Sequence, residues 1–139
     1  MCAVHINYLI SGKATGDKLR KSAEKGSIRK IKNLLKRGVS VDDADVYGNT
    51  PLICAIKSNQ GSAVTELVEH KADLNRADNL GNTPLIWGAS RNLCDIVKYP
   101  LDAKACYHAR NKNSHRAIDV AKQHGHSEEI GRASCRERV

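Results

Sequence analysis

Phenylalanine is absent from this chain of 139 residues, and aromatic residues make up only 4% of it. A core must therefore be built from Leu, Ile, Val and Ala, which suits short packed helices. No apolar run comes near the roughly 20 residues that a membrane-spanning helix needs. The opening stretch, Met1 to Ile10, is interrupted by His5 and Asn7 and has no charged lead, so no signal peptide is expected. Cys2, Cys54, Cys94, Cys106 and Cys135 are odd in number and form no C-x-x-C pair. That pattern argues against a disulfide scaffold and for a reducing intracellular compartment, cytoplasmic or nuclear. The six histidines are scattered. Nothing resembles a nucleophile–base pair, a phosphate-binding glycine loop or a close-set group of metal ligands. No enzymatic activity, cofactor or metal is expected.

What the chain does have is a segment that occurs twice. Gly48-Asn49-Thr50-Pro51-Leu52-Ile53 returns 33 residues later as Gly81-Asn82-Thr83-Pro84-Leu85-Ile86. Fixed spacing of that kind is the mark of a stack of similar units. Asp45 to Ala77 forms one unit and Asp78 to Arg110 the next. The register extends backward so that Leu19 matches Leu52, Ile31 matches Val64 and Leu34 matches Leu67. It extends forward so that Ile118 matches Leu85 and Gly125 matches Asn92. No insertion is needed between Asp17 and Ile130.

Each unit makes local sense. Thr50 and Thr83 suit a helix N-cap, where the hydroxyl accepts from otherwise unpaired backbone N–H groups. Pro51 and Pro84 follow at the first helical position, where a missing N–H costs nothing. The first helix is expected to run to about Ser58. Asn59 and Asn92 can take the left-handed conformation that ends it. Val64, Leu67 and Val68 then lie at i, i+3 and i+4, an apolar helical stripe. Asp45-Val46-Tyr47-Gly48 and Asp78-Asn79-Leu80-Gly81 supply turn chemistry for a hairpin-like loop.

These residues resemble ankyrin repeats, with their 33-residue period and G-x-T-P-L core. The resemblance covers Asp17 to Ile130. It implies an all-α solenoid of antiparallel helix pairs with β-turn fingers, about 3.5 repeats long. It also implies a non-catalytic scaffold, expected to be a monomer, that binds a protein partner through its finger tips and concave helix face. Residues 1–16 follow no register. Residues 17–44 read as a capping repeat, 45–77 and 78–110 as full repeats and 111–130 as a partial one. From Ile130 the chain reads IGRASCRERV, which resembles a translated sequencing adapter. Residues 131–139 are therefore expected to lie outside the array, truncating it at the C-terminal side.

Several positions depart from the family pattern. Ile53 and Ile86 stand where a histidine usually follows T-P-L. Lys71 and Lys104 replace a helix-ending glycine, and a left-handed lysine costs on the order of 1 kcal/mol. Pro100 aligns with Leu67, inside a second helix. There it removes a hydrogen bond and crowds the preceding turn, at about 3 kcal/mol, so a kink or early end near Tyr99 is expected. Arg116-Ala117 replaces Thr-Pro in the last unit, a style suited to a terminal repeat.

The resemblance places partner binding on residues that differ between units. The finger positions are Val46, Tyr47 and Asn49, then Asn79, Leu80 and Asn82, then Lys112, Asn113 and His115. The exposed ends of the first helices add Lys57, Ser58, Ser90, Arg91 and Gln123. Tyr47 and Leu80 stand out as turn-tip residues with large side chains, which suits an interface centre. A basic cluster that includes Arg20, Lys21, Lys25 and Arg29 marks the first unit. It is either a solvated cap or a docking patch for an acidic or phosphate-bearing surface. With no interleaved aromatics, nucleic acid is not an expected partner. A further alternative is that the repeats position substrate for a larger enzyme or channel, such as a ubiquitin ligase subunit. Cys54 falls where Trp87 and Val120 fall in later units, so a buried, inert thiol is expected. Trp87 beside Gly88 reads as packing, with a ligand platform as the alternative.

Overall fold

The computed structural model describes residues 15–92, 106 and 108–125. Pro100, Lys104, Cys2, Cys94 and Cys135 lie outside the described residues, as do 1–14 and 126–139. The described residues form helices and turns, with no strand. Helix α1 is described over residues 15–24. It is followed by α2 (Ile28–Lys36), α3 (Pro51–Lys57), α4 (Gly61–Glu69), α5 (Pro84–Ser90) and α6 (Ala117–Gln123).

Helices α3 and α4 pack as a pair. Along the stack α3 lies against α5, α5 against α6, and α2 against α4. The first helices of successive units thus form one row and the second helices another. This is the all-α repeat solenoid that the ankyrin resemblance implies.

Helices α2 to α6 are 7 to 9 residues long. In isolation helices below about 12 residues are marginal in water, so tertiary packing must hold them. Leu19, Ile31, Leu52, Ile56, Val64 and Leu67 are all fully buried, in one core with Leu85 and Ala121. Ile53 and Ile86, at the positions where the family favours histidine, are buried too. A charged bridge spans the second-helix row: buried Glu66 on α4 lies 3.0 Å from His70 and 3.5 Å from Lys32 on α2.

The helix ends follow local chemistry. Thr50 Oγ1 accepts from the Ile53 N–H and Thr83 Oγ1 from the Ile86 N–H, each at 3.3 Å. Asn59 and Asn92 have φ of 58° and 56°. The Asn59 N–H donates to the Ile56 carbonyl at 3.1 Å and the Gln60 N–H to the Ala55 carbonyl at 2.9 Å. This paired closure satisfies carbonyls that the helix end leaves open. Helix α4 closes the same way, with Lys71 as its left-handed residue at φ 65°. A side chain in that region carries strain that glycine escapes. Lys71→Gly should therefore raise stability by roughly 1 kcal/mol in chemical denaturation. An unchanged midpoint would mean that the lysine recovers the strain elsewhere.

The last described helix is capped differently. At Arg116, the N-cap of α6, the Asp119 carboxylate accepts from the backbone N–H at 3.0 Å and from the guanidinium at 3.1 Å. Hydrogen bonds from Arg116 pull the Asp119 carboxyl down to about 2. This cap therefore stays ionised throughout the neutral range.

Candidate functional site

The loops between units project as fingers, and each is folded around one acidic or amide side chain. Asp45 Oδ1 accepts from the backbone N–H groups of Tyr47 and Asn49 at 2.9 and 2.8 Å. Asp78 Oδ1 accepts from Leu80 and Asn82, each at 3.0 Å. Asn111 Oδ1 accepts from Asn113 and His115, again at 3.0 Å. The same atom thus closes the same turn three times. Partial burial disfavours the charged form of Asp45, but hydrogen bonds from Asn49 and Tyr47 outweigh that and lower its pKa.

The fingers are also tied to one another. The Asn79 N–H donates to the Tyr47 carbonyl, and the Lys112 N–H to the Leu80 carbonyl, both at 3.0 Å. The Asn79 side-chain amide adds a bond to the Val46 carbonyl at 2.8 Å, and that of Asn111 one to Asn82 Oδ1 at 3.0 Å. Each finger is thereby locked to the next, so its tip residues are held in fixed relation.

The tips are apolar and open to solvent. Val46, Tyr47 and Leu80 are 77%, 70% and 63% exposed, and they are the large hydrophobics that stand out in this way among the described residues. None of the three gains stability from the core.

A family model for ankyrin repeats in three copies matches residues 19–114. The chain belongs to the ankyrin-repeat family. No curated protein matches it in sequence comparison. Ankyrin repeats are in general protein–protein interaction modules built on a non-catalytic fold.

The other expected contact residues of this ankyrin domain fall into two groups. Ser58, Asn79, Arg91, Lys112 and Asn113 are exposed. Asn49, Lys57, Asn82, Ser90 and His115 are half-buried and partly committed to the scaffold. Lys57 Nζ donates to Asn49 Oδ1 at 3.0 Å and sits 4.1 Å from the centroid of the Trp87 ring. Trp87 in turn donates its indole N–H to Asp78 Oδ2 at 2.9 Å. The indole therefore packs, as its position implied. It also joins the first-helix row to the base of the second finger, and Lys57 and Trp87 form one cation–π unit across two repeats. At the third finger, Gln123 lies 3.3 Å from the His115 ring.

In the sequence Asp45 and Asp78 read only as turn residues, and Asn111 carries no separate mark. The signal for their shared closing role is their recurrence at one register, each just ahead of the variable tip.

The basic cluster separates into a buried residue and exposed ones. Arg20 is not part of an exposed patch: it is only 7% exposed. It occupies the register position of buried Ile53. Its guanidinium pairs with the Asp17 and Asp43 carboxylates and donates to the Asp43 carbonyl at 2.8 Å. Those partners satisfy a charge that would otherwise be buried alone. Lys21, Lys25 and Arg29 are exposed.

Cys54 is 5% exposed, and burial pushes its thiol up to about 12. It is protonated at neutral pH and so a poor nucleophile. Cys106 is exposed. Maleimide treatment of the native protein should label the Cys106 peptide and spare Cys54, which should react only after denaturation. Rapid native labelling of Cys54 would show that its pocket opens. Among the described residues no group of three or more His, Cys, Asp or Glu could hold a metal ion, and no helix is long and apolar enough to cross a membrane.

Proposed function

We propose that this ankyrin domain captures a protein partner on its finger tips, with Val46, Tyr47 and Leu80 as the anchoring side chains. The observation that carries this reading is the exposure of three large apolar residues on hydrogen-bonded, mutually locked turns. Binding then orders little that is not already ordered, which lowers the entropic cost of association. Aromatic and aliphatic anchors ringed by polar groups are the usual centre of an interface. Here Asn79, Lys112 and Asn113 supply that polar rim. The Lys57–Trp87 pair on the first-helix row is a second, flatter contact for the same partner.

A photoreactive benzoylphenylalanine tests the location. Placed at Tyr47, it should crosslink a partner whose adduct is competed away by unlabelled protein. Placed at Lys71, exposed just after α4, it should give no such adduct. Equal adducts from both positions, or none from Tyr47, would count against the finger tips.

A further inference from the structure

The exposed cations of the first unit are not spread evenly over its surface. Lys18 and Lys21 on α1 and Lys25 just after it follow i, i+3, i+7 spacing, which puts them on one side of the helix. Lys30, Asn33 and Arg37 repeat that spacing along α2 and its C-cap. The two faces meet in a cleft of about 420 Å³, whose described lining comes from α1, α2 with its C-cap, and their connection, with Leu34 contributing an apolar wall. Among the described residues no carboxylate lines it. Of the acidic neighbours, Asp17 and Asp43 pair with Arg20, and Glu66 with Lys32 and His70; Glu24 is exposed on α1 but does not line the cleft. Residues 1–14 contain neither Asp nor Glu, so the leading segment brings no side-chain carboxylate to neutralise it.

We propose that this cleft binds a compact polyphosphate, an anion carrying several phosphoryl groups. Five cations around so small a volume call for a ligand of high charge density. The volume falls in the range of small-molecule sites, roughly 300–1,000 Å³. An extended acidic peptide spaces its side chains at about 3.3 Å per residue and turns alternate ones away, so it matches the cleft poorly. Among the described residues no aromatic side chain lines the cleft, so they offer no platform on which to stack a nucleobase. Four of the five cations are lysines, whose ammonium groups act on phosphate as point charges. The ligand is either a free inositol polyphosphate or the headgroup of a phosphoinositide, which share this chemistry. The site is separate from the finger tips and does not rest on the protein-binding reading.

The test is calorimetric titration of the full chain with inositol hexakisphosphate, beside co-sedimentation with phosphatidylcholine vesicles containing phosphatidylinositol bisphosphate. Two variants carry the same change in charge. Lys21→Glu with Lys30→Glu alters the cleft from both helices. Arg29→Glu with Lys36→Glu alters exposed cations that do not line it. All four residues are exposed, and unchanged helical circular dichroism should confirm folding. The cleft pair should weaken binding about a hundredfold and the other pair about threefold or less, in 0.15 M salt. That pattern with the soluble ligand supports a free polyphosphate, and with vesicles alone a lipid headgroup. Equal loss in both variants, binding to neither probe, or tighter binding of a polyglutamate peptide would overturn the proposal.

Discussion

Gly48→Ala should lower the stability of the domain by about 3 kcal/mol, from two sources that add. Gly48 sits at φ +80°, where an L side chain costs about 1–2 kcal/mol. A Cβ there would also come within 2.8 Å of the Asn79 backbone nitrogen and of its side-chain oxygen. The Asn79 N–H bonds the Tyr47 carbonyl, so it cannot withdraw without breaking the link between fingers. Overpacking against fixed atoms costs a further 1–3 kcal/mol or so. Gly38 separates the two sources. Its φ is +86°, yet nothing lies within 4 Å of its Cβ position. Gly38→Ala should therefore cost only the backbone strain, roughly 1 kcal/mol. Gly81→Ala should resemble Gly48→Ala, since its Cβ would meet Asn111 Cα and the Lys112 nitrogen at 3.0 Å. Denaturant melts of the three variants check this. Equal losses at Gly38 and Gly48 would mean that close approach of the fingers contributes nothing.

These contrasts show which parts of the architecture were legible in the sequence. The period is written in the repeated segment itself, and the Thr50 and Thr83 caps, the proline starts and the left-handed Asn59 and Asn92 are local choices. Each of these local choices is decided within a few residues, and the structure carries each of them. What joins one unit to another was harder to read. The bond from Asn79 to Tyr47 crosses most of a period, and the Lys57–Trp87 contact joins two repeats. Periodicity says that units stack but not which atoms meet.

Arg20 shows the limit most clearly. Its charge argued for solvent, while its register, matching Ile53, argued for the core. The register won because Asp43, 23 residues away, supplies the counter-charge and a carbonyl acceptor. The basic cleft is the opposite case. The spacing of Lys18, Lys21 and Lys25 and of Lys30 and Arg37 stands in the sequence, but their meeting at one cleft depends on how α1 packs beside α2. Tyr47 and Leu80 were legible because a large apolar side chain on a turn tip has no neighbour to bury it.

The second large effect concerns those tips. Tyr47→Ala with Leu80→Ala should leave the helices intact, because both side chains lie outside the core. Their backbone groups, which hold the finger ladder, are unchanged by the substitution. Loss of anchoring side chains at an interface centre commonly costs 2 kcal/mol or more each. The affinity for the partner recovered through the Tyr47 crosslink should thus fall by at least about a hundredfold. The most direct measurement is the dissociation constant of that partner for the native chain and for this double variant, read beside their far-ultraviolet circular dichroism. A hundredfold or greater loss at unchanged helicity is the predicted result. Unchanged affinity, or loss of helicity with the two substitutions, would contradict a scaffold whose binding information lies on its finger tips.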